Sequence, residues 1–123
     1  MQLKDVVQLI EGKVLTGAAN LGREVEGGCG ADLMSDVLAS VQPQAVLLTG
    51  LCNPQVVRTA QMADVAAIVF VRGKMPAQEV IDLANEEKIP LITTPCGMFE
   101  LCGRLYKAGL PSLERRIASA LDE

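Results

Sequence analysis

The stretch that decides the fold is EGGCGADLMSDVLA, residues 26–39. It predicts the end of a strand, a glycine-rich turn and a helix. Asp32 is placed to cap this helix, with its carboxylate accepting a hydrogen bond from the amide of Ser35. Such a turn presents free amides and the positive end of a helix dipole, which suits an anion. Apolar residues recur at helical spacing and predict a core face: Leu33, Met34, Val37, Leu38 and Val41.

Strands and helices alternate regularly after this stretch. Residues 45–49, 65–71 and 90–94 are apolar runs, typical of strands that are covered on both faces. Helices are predicted over residues 54–62, 77–87 and 98–108, the first with Asn53 as its N-cap and Pro54 as its first residue. This alternation indicates right-handed βαβ crossovers and a mostly parallel sheet. We expect an α/β fold, a three-layer α/β/α sandwich.

The two ends of the chain add shorter elements. Residues 3–10 predict a short amphipathic helix, and strands are predicted over residues 13–16 and 23–27. The six-residue link between these strands has no room for a helix. We therefore expect them to form a strand pair at the edge of the sheet, not necessarily parallel. Residues 113–121 predict a short amphipathic tail.

The composition indicates one domain over residues 1–123 and excludes several partners. Half of the residues are apolar, which excludes a disordered chain. The net charge is −4 and only Phe70, Phe99 and Tyr106 are aromatic, so we expect no nucleic-acid partner. No apolar run has the length of a transmembrane helix, and the N-terminus does not resemble a signal peptide. We expect no membrane partner and a cytoplasmic location.

The chain contains no histidine, which limits its possible chemistry. Ser-His-Asp and Cys-His catalysis and histidine-ligated zinc are excluded. General acid–base chemistry would fall to carboxylates, cysteines or lysines, and no catalytic constellation of these is evident. The sequence leaves the cofactor unknown. The sequence therefore predicts a protein that is not an enzyme.

Ligands of open α/β sheets bind outside the carboxyl ends of the strands, and polar or glycine-rich turns follow three predicted strands here. No Walker A or G-x-G-x-x-G motif is present. Asp32 and Asp36 lie four residues apart, which suits either a magnesium–phosphate site or a helix cap with one solvated carboxylate. The candidate ligand-binding residues are Gly28, Gly30, Asp32, Ser35, Asp36, Thr49, Gly50, Asn53, Thr94 and Gly97.

The four cysteines form a second group of candidates. Cys29, Cys52 and Cys96 each lie in a turn between a predicted strand and a helix, and Cys102 lies six residues after Cys96. They are candidate ligands of a metal or an iron–sulfur cluster, because thiolate is the soft ligand available here. Thiols at helix N-termini with a lowered pKa are an alternative, suited to redox sensing. The absence of any C-x-x-C pair favours a third interpretation, which is simple packing.

The helix predicted over residues 98–108 is apolar around more of its circumference than one sheet face requires. Gly103 would allow another helix to approach closely. We therefore expect a homodimer in which this helix lies at the interface. The expected anchors are Leu101, Leu105 and Tyr106.

Several segments of the chain resemble the DRTGG-domain family. They are residues 30–39, residues 47–50, the pair Asn53-Pro54 and residues 99–106, and residues 32–39 are the most specific of them. The family includes stand-alone small proteins, which this chain resembles, and domains inside pyrophosphatases, flanked by CBS domains, or beside phosphotransacetylase catalytic domains. It is similar to the N-terminal domain of HPr kinase.

The resemblance implies an α/β accessory or regulatory domain that tends to self-associate, without established catalytic residues. Stand-alone members look like companions of anaerobic redox enzymes, which implies a redox-enzyme partner. Residues and resemblance together predict a non-enzymatic regulatory or scaffolding domain that binds a nucleotide or another anion. The alternative function is a cysteine-based redox sensor or a metal-binding protein.

Overall fold

A five-stranded sheet lies between two layers of helices. The structure, a computed structural model, describes residues 1–17 and 19–117. The elements are α1 (Leu3–Leu9), β1 (Lys13–Val14), β2 (Gly27–Gly30), α2 (Met34–Ser40), β3 (Ala45–Thr49), α3 (Pro54–Met62), β4 (Ala67–Phe70), α4 (Gln78–Glu86), β5 (Leu91–Thr93) and α5 (Met98–Lys107).

The strand order is β1-β5-β4-β3-β2, and β2 to β5 run parallel. Gly27 is paired with Ala45, Val46 with Ala67, and Ile68 with Leu91. Only β1 is antiparallel, to β5. The predicted α/β class and mostly parallel sheet are confirmed.

The predicted N-terminal strand pair is wrong, because β1 and β2 lie at opposite edges of the sheet. The segment ahead of β2 pairs with the start of the chain instead. The amide of Leu3 donates to the carbonyl of Arg23 at 2.8 Å, and the amide of Val25 donates to the carbonyl of Met1 at 2.7 Å. Through these hydrogen bonds, residues 23–25 pair with the residues at the start of α1 rather than with a strand. Strand β2 therefore begins only at Gly27, where the chain pairs with β3.

Two hydrophobic cores cover the two faces of the sheet. Each crossover from β2 to β5 moves one strand in the same direction, so α2, α3 and α4 all lie on one face. The other face is covered by α1 and α5. Strands β3 and β4 are buried along their whole length. Their alternate residues enter the two cores, with Leu47, Ile68 and Phe70 on one face and Val46, Leu48, Ala67 and Val69 on the other.

The ends of two elements differ from the sequence prediction. The N-cap of α2 is Leu33 rather than Asp32, and it has no side-chain capping bond. The Asp32 carboxylate is instead bonded to the turn after β3, as described below. Asn53 is the N-cap of α3 as predicted, with Pro54 in the first turn, but its side chain makes no capping bond.

The expected C-terminal tail falls partly outside the described residues. Its described part, residues 113–117, is not helical. This part forms isolated bridges, and Ser112 and Glu114 pair with Gly28 and Val41 respectively. Residues 118–121 of that prediction lie outside the described residues.

Within the described part of the chain, every helix is too short or too polar to cross a membrane.

The two phenylalanines provide a test of this core assignment. Phe70 is fully buried, whereas 93% of Phe99 is exposed. We expect Phe70→Ala to lower the free energy of unfolding by about 3–5 kcal/mol, because it leaves a cavity. The matched change Phe99→Ala should alter it by less than about 0.5 kcal/mol. Urea unfolding of both variants measures the difference, and equal losses would contradict the assignment.

Candidate functional site

The carboxyl ends of β2, β3, β4 and β5 meet at one edge of the sheet. The chain leaves β4 toward α4 on one face and leaves β5 toward α5 on the other. The carboxyl edge of the strands is where open α/β sheets bind their ligands. This edge is the candidate functional site.

Asp32 joins the turn after β2 to the turn after β3. Its Oδ1 accepts a hydrogen bond from Thr49 Oγ1 at 3.0 Å and another from the amide of Gly50 at 2.8 Å. The Thr49 hydroxyl oxygen in turn accepts from the amide of Leu51 at 3.1 Å. Thr49 is buried and Asp32 is exposed. The Asp32 carboxylate is therefore accessible at this edge of the sheet, and its hydrogen bonds to Thr49 and Gly50 hold it in place.

Lys74 brings a positive charge to the same place. Its Nζ donates to the carbonyl oxygen of Gly50 at 3.2 Å. A Cβ added at Gly50 would lie 3.3 Å from that Nζ and 3.7 Å from Asp32 Oδ1. The glycine therefore keeps space open between the carboxylate and the ammonium group. Asp32, Thr49, Gly50 and Lys74 form one cluster, which we call the Asp32–Lys74 cluster.

Arg72 is a second cation of the turn after β4, two residues before Lys74. It is exposed and has a left-handed backbone, with φ of 59°. Among the described residues neither Arg72 nor Lys74 forms an ion pair. The turn after β4 thus carries two exposed cations, although the whole chain is negative. This arrangement suits an anionic ligand.

The polar groups of the turn after β5 form hydrogen bonds to other parts of the chain. Thr94 is fully buried, and its hydroxyl donates to the carbonyl of Ile10 at 2.6 Å and accepts from the amide of Cys96 at 3.2 Å. The amides of Arg72 and Gly73 donate to the carbonyls of Cys96 and Thr94. These bonds tie the loops after β4 and β5 together and leave the Thr94 hydroxyl no free role toward a ligand.

The remaining predicted ligand residues lie outside the Asp32–Lys74 cluster, on β2, on α2 and at the starts of α3 and α5. Gly28 and Gly30 lie on β2, where they line a cavity of about 160 Å³ beside residues 110–112 and Glu114. Ser35 and Asp36 are exposed on α2, and Asp36 lies in its first turn. Gly97 is the N-cap of α5. The described residues contain no group of three acidic, cysteine or histidine side chains suited to a metal ion.

The cysteines do not converge on one point. Cys29 belongs to the core under α2 and α3, and Cys96 to the core on the opposite face of the sheet. Cys52 lies in the turn after β3, where its thiol faces the carbonyl of Gly50 at 3.8 Å. Cys102 is exposed on α5 and lines the same cavity as Cys29.

The expected lowering of thiol pKa values is wrong for three cysteines. Burial, reinforced by the carboxylate of Glu114, raises the pKa of the Cys29 thiol to about 12. Burial and Glu114 also raise the pKa of Cys102. Burial raises the pKa of Cys52, although Lys74 opposes the shift. Desolvation, the largest cause in each case, therefore keeps these thiols protonated at neutral pH.

The expected anchors on α5 point in two directions. Leu101 and Leu105 are buried in the chain's own core, so they are not available to a partner. Tyr106 is 75% exposed, and Phe99 on the same helix is more exposed still. Gly103 has no atom within 4 Å of an added Cβ. The outward apolar face of α5 therefore consists of Phe99, Gly103 and Tyr106.

Sequence reasoning missed Lys74 and Arg72 as site residues. Both immediately follow a predicted buried strand, a position that leads to the ligand edge. That signal was present in the sequence. The sequence does not give the direction of the Lys74 side chain, which extends from the turn after β4 to the turn after β3.

Comparison with known proteins identifies the family. A model of the DRTGG domain matches residues 5–108. The chain belongs to the DRTGG-domain family. No curated protein matches the sequence.

This DRTGG domain is similar to a solved structure of a regulatory protein region. That structure contains the CBS and DRTGG domains of the regulatory region of Clostridium perfringens pyrophosphatase, complexed with the activator diadenosine tetraphosphate. The TM-score is 0.71 and the sequence identity 20%, over 89% of this chain and 47% of that one. The chain thus spans about half the length of its neighbour, and the likeness concerns the fold.

Thr94 allows a test of the structural role assigned to it. We expect Thr94→Val to lower the free energy of unfolding by about 1–3 kcal/mol, because the carbonyl of Ile10 and the amide of Cys96 lose their buried partner. Thr94→Ser keeps the hydroxyl and should cost clearly less. Urea unfolding compares the two variants. If Val and Ser cost the same, the hydroxyl does not act as this link.

Proposed function

We propose that this DRTGG domain is a non-enzymatic regulatory domain that binds a nucleotide or another phosphate-bearing anion at the Asp32–Lys74 cluster. The observation that carries the proposal is the position of Lys74 and Arg72 in the turn after β4, where neither forms an ion pair within residues 1–17 and 19–117. A phosphate would gain charge-assisted hydrogen bonds from them. Asp32 would then face the hydroxyl groups of a sugar or a bridging cation rather than the phosphate itself.

The neighbouring structure supports the nucleotide as the class of anion. It is a regulatory region complexed with an activator that contains adenosine and phosphates. By analogy, we infer that this chain acts on a partner enzyme. The redox enzyme implied by the family resemblance remains a prediction without further support.

Ligand titration followed by thermal unfolding tests the proposal. Adenosine mono-, di- and triphosphate, diadenosine tetraphosphate and inorganic pyrophosphate are the probes. A ligand present at one hundred times its dissociation constant should stabilise the fold by about 2.7 kcal/mol. If none of the five probes raises the melting temperature, the ligand part of the proposal is wrong.

Charge-removing variants locate the site. Lys74→Gln should weaken binding of the stabilising probe roughly tenfold to a hundredfold, because a charge-assisted hydrogen bond is lost. Lys88→Gln is the matched control, since Lys88 is exposed at the opposite end of the sheet, ahead of β5. Isothermal titration calorimetry compares the variants. Equal affinities for the two would place the ligand elsewhere.

We also propose that the domain forms a homodimer through the outward face of α5. Phe99 and Tyr106 expose large apolar surfaces on either side of Gly103. In an antiparallel pair of α5 helices crossing near Gly103, Phe99 of each copy would approach Tyr106 of the other. A stable interface removes roughly 800 Å² per partner from water, so flanking residues must also contribute.

Gly103→Lys tests this interface. The position is exposed and helical, so the change should leave the fold intact while placing a charge where the helices cross. Gln78→Lys on α4 is the matched control on the other helical layer. Light scattering at micromolar concentration should give a dimer mass for the native chain and the control, and a monomer mass for Gly103→Lys. A monomeric native chain contradicts the proposal.

The alternative, a cysteine-based metal or redox function, has less support. Cys29 and Cys96 lie on opposite faces of the sheet, and three of the thiols have raised pKa values. Anaerobic purification followed by visible absorption and metal analysis separates the two functions. A coloured, metal-containing protein would favour the alternative.

A further inference from the structure

Residues 111–115 form a segment that we call the C-terminal strap. It runs along the outer edge of β2 and reaches the end of α2. The amide of Gly28 donates to the carbonyl of Pro111 at 2.8 Å, and the amide of Leu113 donates back to the carbonyl of Gly28 at 2.8 Å. Further along, the amide of Arg115 donates to the carbonyl of Ser40 at 2.7 Å. The strap thus occupies the backbone groups that an edge strand leaves free.

The strap also covers a thiol. Only 1% of Cys29 is exposed. Leu113 packs against the same core as Cys29, and Glu114 Oε1 accepts from the amide of Gly30 at 2.9 Å. The Glu114 carboxylate also contributes to the raised pKa of the Cys29 thiol, and Glu114 and Cys29 line the same cavity. Residues of the strap therefore form the outer wall over Cys29.

The strap fits its place because Gly27 has no side chain. A Cβ added at Gly27 would lie 2.5 Å from Leu113 Cγ and 2.6 Å from the carbonyl oxygen of Pro111. At the next residue, Gly28, an added Cβ would meet only Leu110 and Val46 at 3.8 Å, an ordinary contact. A side chain at position 27 would therefore clash with the strap, whereas a methyl group at position 28 would not.

The strap is attached more weakly than the sheet. Four of its five residues are exposed, and only Leu113 is partly buried. It also lies beyond residues 5–108, which match the family domain. Segments with little buried apolar surface open at a lower free energy than the core elements of the same protein.

We propose that the C-terminal strap is a gate on Cys29, which opens as a unit while the sheet remains folded. In the closed state the strap buries the thiol and pairs with the edge of β2. In the open state the thiol and that edge are accessible, and the carboxylate of Glu114 no longer lies beside the sulfur.

Alkylation of the full chain with iodoacetamide, read out by peptide mass spectrometry, tests the gate. The thiolate attacks the reagent carbon, a sulfur–carbon bond forms, iodide leaves and the thiol proton passes to solvent. Cys96 is the internal control, because it is 3% exposed in the core on the opposite face and reports unfolding of the sheet. In the native chain, both cysteines should react slowly.

Gly27→Ala should accelerate alkylation of Cys29 by about tenfold or more, because overpacking displaces the strap. Gly28→Ala is the matched control and should leave the Cys29 rate unchanged. Leu113→Gly removes the apolar contact without adding an atom and should act like Gly27→Ala. In all three variants the Cys96 rate should stay at its native value.

Three results would overturn the gate. Parallel acceleration of Cys29 and Cys96 would show that the strap opens only when the sheet unfolds. An unchanged Cys29 rate in both Gly27→Ala and Leu113→Gly would show that the strap does not control access. Equal acceleration of Cys29 alkylation in Gly27→Ala and Gly28→Ala would show that displacement of the strap by a clash at position 27 is not the cause.

Discussion

Burial of β3 and β4 on both faces is the constraint on which the rest of the structure depends. Every residue of these two strands is buried, so helices must cover both sides of the sheet. The right-handed crossovers place α2, α3 and α4 on one face, which leaves the other to α1 and α5. The parallel strands then place the turns after β2, β3, β4 and β5 at a single edge of the sheet, where backbone hydrogen bonds join the loops after β4 and β5.

At that edge, hydrogen bonds between turns create the site. Asp32 fails to cap α2 because its carboxylate gains two donors from the neighbouring turn, Thr49 and Gly50. Lys74 is drawn to the carbonyl of Gly50 from the turn on the other side. Three turns that are distant in sequence therefore hold a carboxylate and an ammonium group around one glycine. An exposed ammonium group held at this edge by a backbone carbonyl is suited to contacting an anionic ligand.

The cysteines illustrate how burial changes the chemistry of a residue. The sequence predicts a turn at Cys29, a position typical of reactive thiols, whereas the structure places Cys29 on β2 and Cys102 on α5. Desolvation raises the pKa of both thiols, and Glu114 adds to the effect. The same carboxylate binds the edge of β2 through the amide of Gly30. The Glu114 side chain of the C-terminal strap thus bonds to the edge of β2 and also raises the pKa of the Cys29 thiol. Pairing of the strap with the sheet and the protonation of Cys29 therefore depend on the same residue.

The sequence by itself determined the α/β class, the three central strands and the helices after them, because apolar runs and helical periodicity are local signals. It also indicated Asp32, Thr49 and Gly50 as candidate ligand residues, since they lie at or shortly after the ends of strands. Only the tertiary structure decided that β1 and β2 lie at opposite edges, that Leu101 and Leu105 face inward, and that Lys74 reaches Gly50. Each of these depends on contacts between residues far apart in the chain, and no local pattern encodes which backbone groups or side chains will meet.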